Sequence, residues 1–380
     1  MMTMKNTLTV FSLLFLMACG SSEKESAMDY KTMNFSMDTV MVDPGQEIIN
    51  LKNNLWISDI SKDKKYLFNW DQDNSILEKI NLDELRLEEK LTFEKEGPNG
   101  IGSYISWISL LGEDQILFAN FQDMGLFGFN KEKIKTYTLK GQEFEGDSLE
   151  QYESFNRRAI LTNEGNNIYG ILGNWTSKTH TLAKVDFKNK TLKKHALPGF
   201  EKLADFSVML QTGQMTMISA ADQKIQEIEG KLILSNSVFN SLLIYDLDMD
   251  SLYQVEYNNA LTKNSKTGKY QNQVESDAEF QRVMTDINAE ITFLAPVWDP
   301  KNQKFYRFSY ESIPSDVPLE EGERAKSRVF LTVLDKEFKI LGEGLVSELQ
   351  EVPNTHFVKD GKIWIAKNIE DELGFVRLSF

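Results

Sequence analysis

Few side chains in this 380-residue chain have the types and spacing that catalysis requires. The three histidines are His180, His195 and His356, and none has the spacing of a metal-ligand motif such as HExxH. Cys19 is the only cysteine, and no G-x-S-x-G nucleophile motif occurs. We therefore expect no metal site and no cofactor, and we find no machinery for nucleophilic catalysis.

Two aspartate-rich segments resemble calcium loops at their start. They are NWDQDN, residues 69–74, and DLDMDS, residues 246–251, and both have carboxylates at alternate positions. Neither has glycine at the sixth position, and Ile80 and Tyr257 stand where a calcium loop has its last glutamate. Both segments also lie between predicted strands, where Asp and Asn favour turns. We interpret them as turns.

Tryptophan supplies the first candidates for ligand binding. Trp56 and Trp107 open two similar segments in the same phase, so we predict that both lie in the core between neighbouring sheets. Trp70, Trp175 and Trp298 lie beside turn residues, where an exposed indole can stack on a sugar ring. These three are the aromatic ligand candidates.

Arg157, Arg307 and Asn99 complete the set of candidates. Arg307 lies in FYRF on a predicted strand, so its charge needs a carboxylate, a carbonyl or a ligand anion. A structural ion pair is the interpretation that we favour for it. Arg157 is notable because it is followed by a second arginine in an acidic chain, and Asn99 lies in the glycine-rich segment FEKEGPNGIGSY.

The N-terminus has the layout of a secretory signal, with one lysine, an apolar run over 8–18 and then Cys19. The run is too short to span a bilayer as a stable helix. The residues LMACG resemble the lipobox of bacterial lipoproteins, which implies that Cys19 is acylated; the alternative is an ordinary signal with an incidental cysteine. Gly20 implies the outer membrane by resemblance to the sorting rule of enteric bacteria. We predict a signal peptide over 1–18 and a lipidated tether over 19–34, which anchors the protein to the membrane.

The charge balance limits the partners. The chain has 42 Lys and Arg against 57 Asp and Glu, a formal net charge of −15. This balance argues against nucleic acid and anionic lipid headgroups as partners. The many carboxylates leave glycoside cleavage by a carboxylate pair open, because the sequence does not give their separations.

A repeated pattern of short alternating strands predicts the fold. WISDISKDKKYLFN, from Trp56, and WISLLGEDQILFAN, from Trp107, share an opening, a charged turn and an aromatic strand that ends in Asn. Six such units follow one another, with second strands that start near residues 66, 115, 167, 231, 304 and 362. The spacing predicts an all-β fold, a six-bladed β-propeller over 35–380. A pair of β-sandwiches is the alternative.

Two features depart from a simple repeat. The last unit has only three clear strands, and we expect SMDTVMVD, residues 36–43, to supply the fourth and close the ring. Residues 258–290 form an insertion in which Ser276 and Glu279 resemble a capping box before an amphipathic helix over 277–289. Such an insertion caps one end of a ring, where function tends to lie.

FEKEGPNGIGSY could in principle cradle a phosphate. Phosphate loops lead into a helix, whereas Tyr104, Ile105 and Trp107 begin another strand, and Glu94 and Glu96 would repel an anion. We interpret the segment as the link between the first two blades.

Together the lipobox, DTVMVDPG, SKDKKYLFNW, FEKEGPNGIGSY, VWDPKNQKFYRF and the terminal GFVRLSF resemble a family of Bacteroidetes lipoproteins with a domain of unknown function, akin to six-bladed propeller lipoproteins. The likeness covers nearly the whole mature chain. Relatives in the wider group have approximately G-x-G-P-x-E-Y, and the acidic residue before the tyrosine is missing here. The resemblance implies a fold and a location, but no reaction.

We therefore expect a non-catalytic binding or scaffold protein of the cell envelope, facing the periplasm or the surface. Its end face, built from the links between blades and the 258–290 insertion, would recognise a glycan, a peptide or an envelope protein. The alternative is a propeller enzyme, a glycan hydrolase or lyase, with Asp or Glu and Arg lining the central channel.

Overall fold

The computed structural model of the chain describes residues 33–120, 123–162, 165–174, 177–213, 215–314 and 325–380, except for the side chains of residues 156 and 157. Nearly all of the regular elements over these residues are β-strands, with one α-helix and one 3-10 helix among the elements described below, so the predicted all-β class is confirmed. No described helix combines the length and the apolar composition that crossing a bilayer requires.

Six sheets follow one another along the chain, and strand β1 (Ser36–Met41) precedes them; their strands pair antiparallel except for β10, which is parallel to β14. Sheet 1 contains β2 (Ser58–Ile60), β3 (Tyr66–Asp71), β4 (Ile76–Asn81) and β5 (Arg86–Thr92). Sheet 2 contains β6 (Trp107–Leu111), β7 (Gln115–Ala119), β8 (Asp123–Gly128) and β9 (Lys133–Thr138). Sheet 3 contains β10 (Glu145–Gly146), β11 (Glu153–Thr162), β12 (Asn167–Asn174), β13 (Thr179–Asp186) and β14 (Thr191–Ala196).

The second half of the chain adds the other three sheets and one small sheet. The small sheet contains β15 (Val208–Thr212), β16 (Met215–Ser219) and β21 (Gln273–Val274). Sheet 4 contains β17 (Gln223–Ile228), β18 (Lys231–Asn236), β19 (Leu242–Asp246) and β20 (Ser251–Val255). Sheet 5 contains β22 (Thr292–Phe293), β23 (Val297–Asp299), β24 (Lys304–Ser312), β25 (Ser327–Asp335) and β26 (Ile340–Leu345). Sheet 6 contains β27 (His356–Lys359), β28 (Lys362–Ile369) and β29 (Glu372–Ser379), together with β1.

The sheets pack face to face, and this explains the two sequence patterns of the strands. Strand β12, NIYGILGN, lies inside its sheet and is buried at every position. Strand β9, KIKTYT, is the outermost strand of its sheet and alternates between more and less exposed positions. Continuous apolar runs therefore mark inner strands, and alternating runs mark the rim.

The hydrophobic core consists of clusters between successive sheets. Trp70 and Phe118 join sheets 1 and 2, and corresponding clusters join sheets 2 and 3, sheets 3 and 4, sheets 4 and 5, and sheets 5 and 6. A further cluster, with Leu67 and Phe375, joins sheet 6 to sheet 1. Each sheet therefore packs on the next, and the last packs on the first.

The N-terminal strand pairs as predicted. Strand β1 is antiparallel to β29 in a register that runs from Ser36 opposite Ser379 to Met41 opposite Gly374. Asp38 on β1 also accepts hydrogen bonds from the guanidinium of Arg377, at 2.6 and 2.9 Å. The first strand of the chain is thus the outer strand of the last sheet.

The predicted helix is confirmed as α1 (Asp277–Ala289), which begins after Ser276, whose hydroxyl accepts a hydrogen bond from the Glu279 amide. Its apolar face packs on β15 and β21. The ammonium of Lys266 lies at the end of α1 and donates to the carbonyls of Ile287 and Glu290, at 2.7 and 3.2 Å. A buried cation therefore binds carbonyls that the helix itself leaves unpaired.

The sequence analysis did not predict the hairpin β15–β16 and the 3-10 helix Phe200–Phe206, which lie between sheets 3 and 4. Strand β21 of the 258–290 insertion pairs in parallel with β15. The two insertions therefore fold together as one small unit.

Candidate functional site

The links between the sheets lie together at one end of the strands. Each sheet is a meander, so its last strand ends where the first strand of the next sheet begins. We call this end the link face; it includes residues 42–57, 93–106, 197–222 and 256–296. Both insertions and the glycine-rich segment are part of it.

An open cleft of about 270 Å³ lies on the link face beside sheet 4. Its walls are the link 198–202, the β18–β19 turn at 236–241, the end of β20 at 254–257, and Asn264 of the insertion. The volume is just below the range of about 300–1,000 Å³ that is usual for small-molecule sites.

Asparagine side chains build the walls of the cleft. The side-chain oxygen of Asn236 accepts hydrogen bonds from the amides of Val238 and Phe239, at 2.9 and 2.8 Å, and this shapes the turn. The amide nitrogen of the Asn240 side chain donates to Asn259 and Asn264, at 2.7 and 3.2 Å. The asparagine network thus joins the insertion to sheet 4.

Arg307 lies behind this turn and is 2 % exposed. Its guanidinium donates to the Asn240 carbonyl, to the Asn240 side-chain oxygen at 3.1 Å and to the Leu294 carbonyl at 2.9 Å. Burial lowers the pKa of Arg307 to about 10, so it is a cation at neutral pH. The positive charge of Arg307 is therefore stabilised by carbonyl oxygens and not by a carboxylate, so the predicted ion pair is wrong. Arg307 positions the cleft wall and is not among the residues that line the opening, which contradicts its selection as a ligand contact.

The cleft combines polar groups with aromatic rings. The side chains of Lys202, Ser241, Gln254 and Glu256 line it, and none of them makes a hydrogen bond with another described residue. The hydroxyl of Tyr257 is buried and also has no partner among those residues. Burial raises the pKa of Tyr257, so this group is a neutral donor.

The rings of Phe200 and Phe239 also line the cleft. Apolar surface is therefore surrounded by the amide of Gln254, the hydroxyl of Ser241, the carboxylate of Glu256 and the ammonium of Lys202. Hydroxyl groups of a ligand both donate and accept, so these groups could bind a hydroxyl-rich molecule.

Trp56 has an exposed indole on the link face. The prediction that it lies in the core is wrong, because the neighbouring Leu55 takes the buried position and Trp56 is 68 % exposed. The Lys224 ammonium lies 5.7 Å from the centre of its ring and 3.7 Å from the Asp222 carboxylate. Trp107, predicted in the same way, is partly buried against the core between sheets 2 and 3.

The tryptophan candidates have different positions. Trp70 is 2 % exposed, its ring centre lies 4.9 Å from that of Phe118, and its indole donates to Gln72 at 3.0 Å. No face of that indole is open to a sugar, so its selection is wrong. Trp298 is partly buried, with its ring centre 4.6 Å from that of Phe305. Trp175 lies outside the described residues.

The structure does not place the remaining candidates, Asn99, Arg157 and Cys19, in a common site. Asn99 is exposed, and its side-chain oxygen accepts a hydrogen bond from the Lys133 amide at 3.1 Å, which ties the glycine-rich segment to β9. Cys19 and the side chain of Arg157 lie outside what the structure describes.

The glycine-rich segment is the predicted link, because it connects β5 to β6 with no helix after it. Gly97 and Gly102 have φ of +88° and +93°, and a Cβ on Gly100 would lie 2.7 Å from a Glu96 backbone carbon. Glycine is therefore required by this crossing.

The aspartate-rich segments are turns, as interpreted. One side-chain oxygen of Asp71 accepts hydrogen bonds from the backbone amides of Asp73 and Asn74. One side-chain oxygen of Asp246 accepts hydrogen bonds from the backbone amides of Asp248 and Met249 in the same way. No group of three or more metal-ligating side chains is found among the described residues.

Sequence reasoning missed the cleft residues. The only available signal was the asparagine-rich start of the insertion, NNALTKN, which predicts a polar loop but not the wall that it contacts.

Comparisons with known proteins identify the family and give structures to which this chain is similar. A crystal structure of a DUF4221 family member from Bacteroides vulgatus matches 93 % of this chain and 99 % of its own at 14 % identity, with a TM-score of 0.67. A Bacteroides fragilis protein, whose description proposes that it is exported, matches 91 % and 95 % at 8 % identity, with a TM-score of 0.50. The β-propeller domain of Myceliophteria thermophila Swd1 matches 89 % and 99 % at 8 % identity, with a TM-score of 0.40.

A comparison with curated proteins gives no match. The profile of DUF4221, a domain of unknown function, matches residues 32–345, which is most of the chain, and the resemblance inferred from the sequence is thereby confirmed. The chain belongs to the DUF4221 family.

Proposed function

We propose that the six sheets are the blades of a six-bladed β-propeller that β1 closes. Two observations support this. The hydrophobic clusters join each sheet to the next and sheet 6 to sheet 1. The pairing of β1 with β29 gives the last sheet its outer strand. A ring of this kind leaves only short edges.

We further propose that the propeller is a lipoprotein of the outer membrane, held by an acylated Cys19. The lipobox-like LMACG supports the anchor, and the polar residues after it suit a flexible tether. The described export of the Bacteroides fragilis structural neighbour is consistent with a location outside the cytoplasm.

We propose that the molecule is a binding protein that takes a short glycan in the cleft beside sheet 4. The observation that carries this is the group of unpaired polar side chains around aromatic surface, formed by Lys202, Ser241, Gln254 and Glu256. The walls are already braced by Asn240 and Arg307, so binding a ligand would cost little ordering of the chain.

A saccharide fits this cleft better than a peptide strand does. The cleft has a volume of only about 270 Å³, and the edge strand β16 does not line it. Saccharide hydroxyls need both donors and acceptors, and the cleft offers both within a small volume. An envelope protein that presents a glycan would be recognised by the same groups.

The experiment passes an oligosaccharide fraction from bacterial envelopes over the immobilised mature protein. We expect the wild type to retain a saccharide, and we expect Gln254→Ala with Glu256→Gln to retain less. The matched control is Glu229→Gln, which makes the same charge change at an exposed turn at the other end of sheet 4.

Recovery of no saccharide would remove the glycan proposal, and so would equal retention by the cleft variant. Analysis of the saccharide before and after incubation tests the alternative of a glycan hydrolase or lyase. Shortened or unsaturated products would favour the enzyme.

A further inference from the structure

Strand β16 is an open edge of the small sheet. The strand order of that sheet is β16–β15–β21, so β16 pairs with β15 on one side, and the described residues place no strand on its other side. Its residues are Met215, Thr216, Met217, Ile218 and Ser219, and the first four are exposed. The backbone of such an edge is a template on which another strand can pair.

The usual protection of an edge is missing from β16. Its pairing with β15 runs without a bulge, from Val208 opposite Ser219 to Thr212 opposite Met215. The sequence over 206–221 contains no charged residue and no proline, although 26 % of the chain is charged. Charged side chains, proline and bulges are the devices that keep edge strands from pairing. Nothing in β16 therefore prevents a further strand from joining it.

The backbone of β16 directs hydrogen-bonding groups to its open side. The amide of Met209 on β15 donates to the carbonyl of Asn272 at 2.8 Å, so it points away from β16. In an antiparallel pair, opposite residues both point toward or both point away from each other, and the two kinds alternate along the strand. Ile218 lies opposite Met209, so its amide and carbonyl point to the open side. Those of Thr216 do the same.

The side chains of β16 offer apolar surface on both faces of the strand. Helix α1 covers Leu210 on β15 and Val274 on β21. Met217 lies opposite Leu210 and so shares its face, yet it is 42 % exposed, and Met215 on that face is 59 % exposed. Ile218, on the other face, is 45 % exposed. The helix thus covers two strands of the sheet and leaves the third uncovered.

We propose that β16 is a dimerisation strand, which pairs antiparallel with β16 of a second copy of this chain about a two-fold axis. With the axis beside Met217, Thr216 of each copy lies opposite Ile218 of the other. The groups that point outward then meet, and each of these two pairs exchanges two backbone hydrogen bonds. The small sheets of the two copies become one continuous sheet.

The charges favour a second copy as the partner. The chain has a net charge of −15, so two copies repel each other over their charged surfaces. Contact through an uncharged strand avoids placing like charges directly opposite each other. The strand also complements itself, because a two-fold axis brings the same patch of both copies together. Met217 then lies against its own equivalent, and flexible methionine side chains adapt to each other. This inference does not depend on the glycan proposal.

Sedimentation velocity of the mature protein over a range of concentrations tests the dimer. We expect the wild type to form a concentration-dependent dimer. Met217→Lys places two ammonium groups opposite each other, so we expect it to raise the dissociation constant of the dimer by about tenfold or more. The control is Met249→Lys, which makes the same change at an exposed position in the turn between β19 and β20. It is expected to dimerise like the wild type.

A second experiment tests the register of the two strands. Opposite residues that do not exchange hydrogen bonds have Cα atoms about 4.5 Å apart, which is within the reach of a disulfide. We expect Met217→Cys to form a disulfide-linked dimer under mild oxidation. Met249→Cys is expected to form no more than the background of the wild type, whose only cysteine is Cys19. Both positions are exposed, so we expect the variants to keep the thermal midpoint of the wild type.

Three results would overturn the proposal. They are a wild type that is monomeric at every concentration, a dimer that Met217→Lys weakens no more than Met249→Lys does, and equal cross-linking of Met217→Cys and Met249→Cys. A monomeric wild type that retains a different envelope protein, and loses it in Met217→Lys, would also refute the dimer, because that protein would then be the partner of β16.

Discussion

At the scale of single residues, two buried cations of this protein, Arg307 and Lys266, bind main-chain carbonyls. Arg307 donates to a turn 67 residues away in sequence, and Lys266 donates to the end of α1. The FYRF pattern predicted that Arg307 needs a partner, but the identity of that partner depends on a distant loop. The sequence therefore indicated that Arg307 has a partner, but the ion pair that we favoured was the wrong one.

His356 gives a prediction about pH. Burial lowers its pKa from 6.5 to about 4, and its ring centre lies 5.1 Å from that of Phe308. The unfolded chain binds a proton at higher pH than the folded chain does. Stability from this group is therefore complete above pH 6.5 and is lost as the pH falls toward about 4.

The measurement is urea unfolding of the wild type and His356→Phe at several pH values across that window. The phenylalanine keeps a ring against Phe308 and cannot titrate, so we expect its stability to fall less steeply with decreasing pH. Parallel curves for the two proteins would contradict a neutral, buried His356.

At the scale of elements, those whose signals lie within one short segment could be predicted, whereas those that need a partner far away in the sequence could not. Helix α1 was predictable because its capping residues and apolar period lie within one short segment. The hairpin β15–β16 was not predictable, because β15 pairs with β21, whose residues come 64 positions later in the chain. The pairing of strand β1 was predictable from the number of strands in each unit, because the last unit had only three and needed a fourth.

Removal of β1 tests the closure of the propeller. We expect deletion through Asp43 to lower the free energy of unfolding by at least about 2 kcal/mol, because the hydrogen bonds to β29 are lost and its edge is exposed. The loss would include the ion pairs of Asp38, whose pKa is lowered to about 2 by Arg377 and Lys362.

The matched control is a shorter deletion that removes residues 1–32 and leaves β1 intact. Both proteins are compared by denaturant unfolding. Equal stability of the two truncated proteins would show that β1 is dispensable and that the ring does not need it.

At the scale of the whole molecule, the order of the sheets followed from the repeat, but the cleft did not. The sequence predicted that the second strands of the six units start near residues 66, 115, 167, 231, 304 and 362. In the structure, a strand begins at each of these positions. The cleft depends on Asn236 and Asn240 of one turn and on Asn264 of the insertion, and the turn and the insertion meet only in the folded chain.

The anchor is also a property of the whole molecule. We expect Cys19→Ser to abolish incorporation of a labelled fatty acid and to move the protein from the membrane fraction to the soluble fraction. Ser21→Ala, in the polar tether, is the control and should remain membrane-bound. A membrane-bound, unlabelled Cys19→Ser protein would contradict lipid anchoring.

Binding of a glycan in the cleft is the central claim, and calorimetric titration of the retained saccharide tests it most directly. The wild type is compared with Glu256→Gln in the cleft and Trp56→Ala, the exposed indole outside it. We predict that Glu256→Gln weakens binding by about tenfold and that Trp56→Ala changes it by less than about twofold. Loss of binding in Trp56→Ala with unchanged affinity in Glu256→Gln would contradict this account.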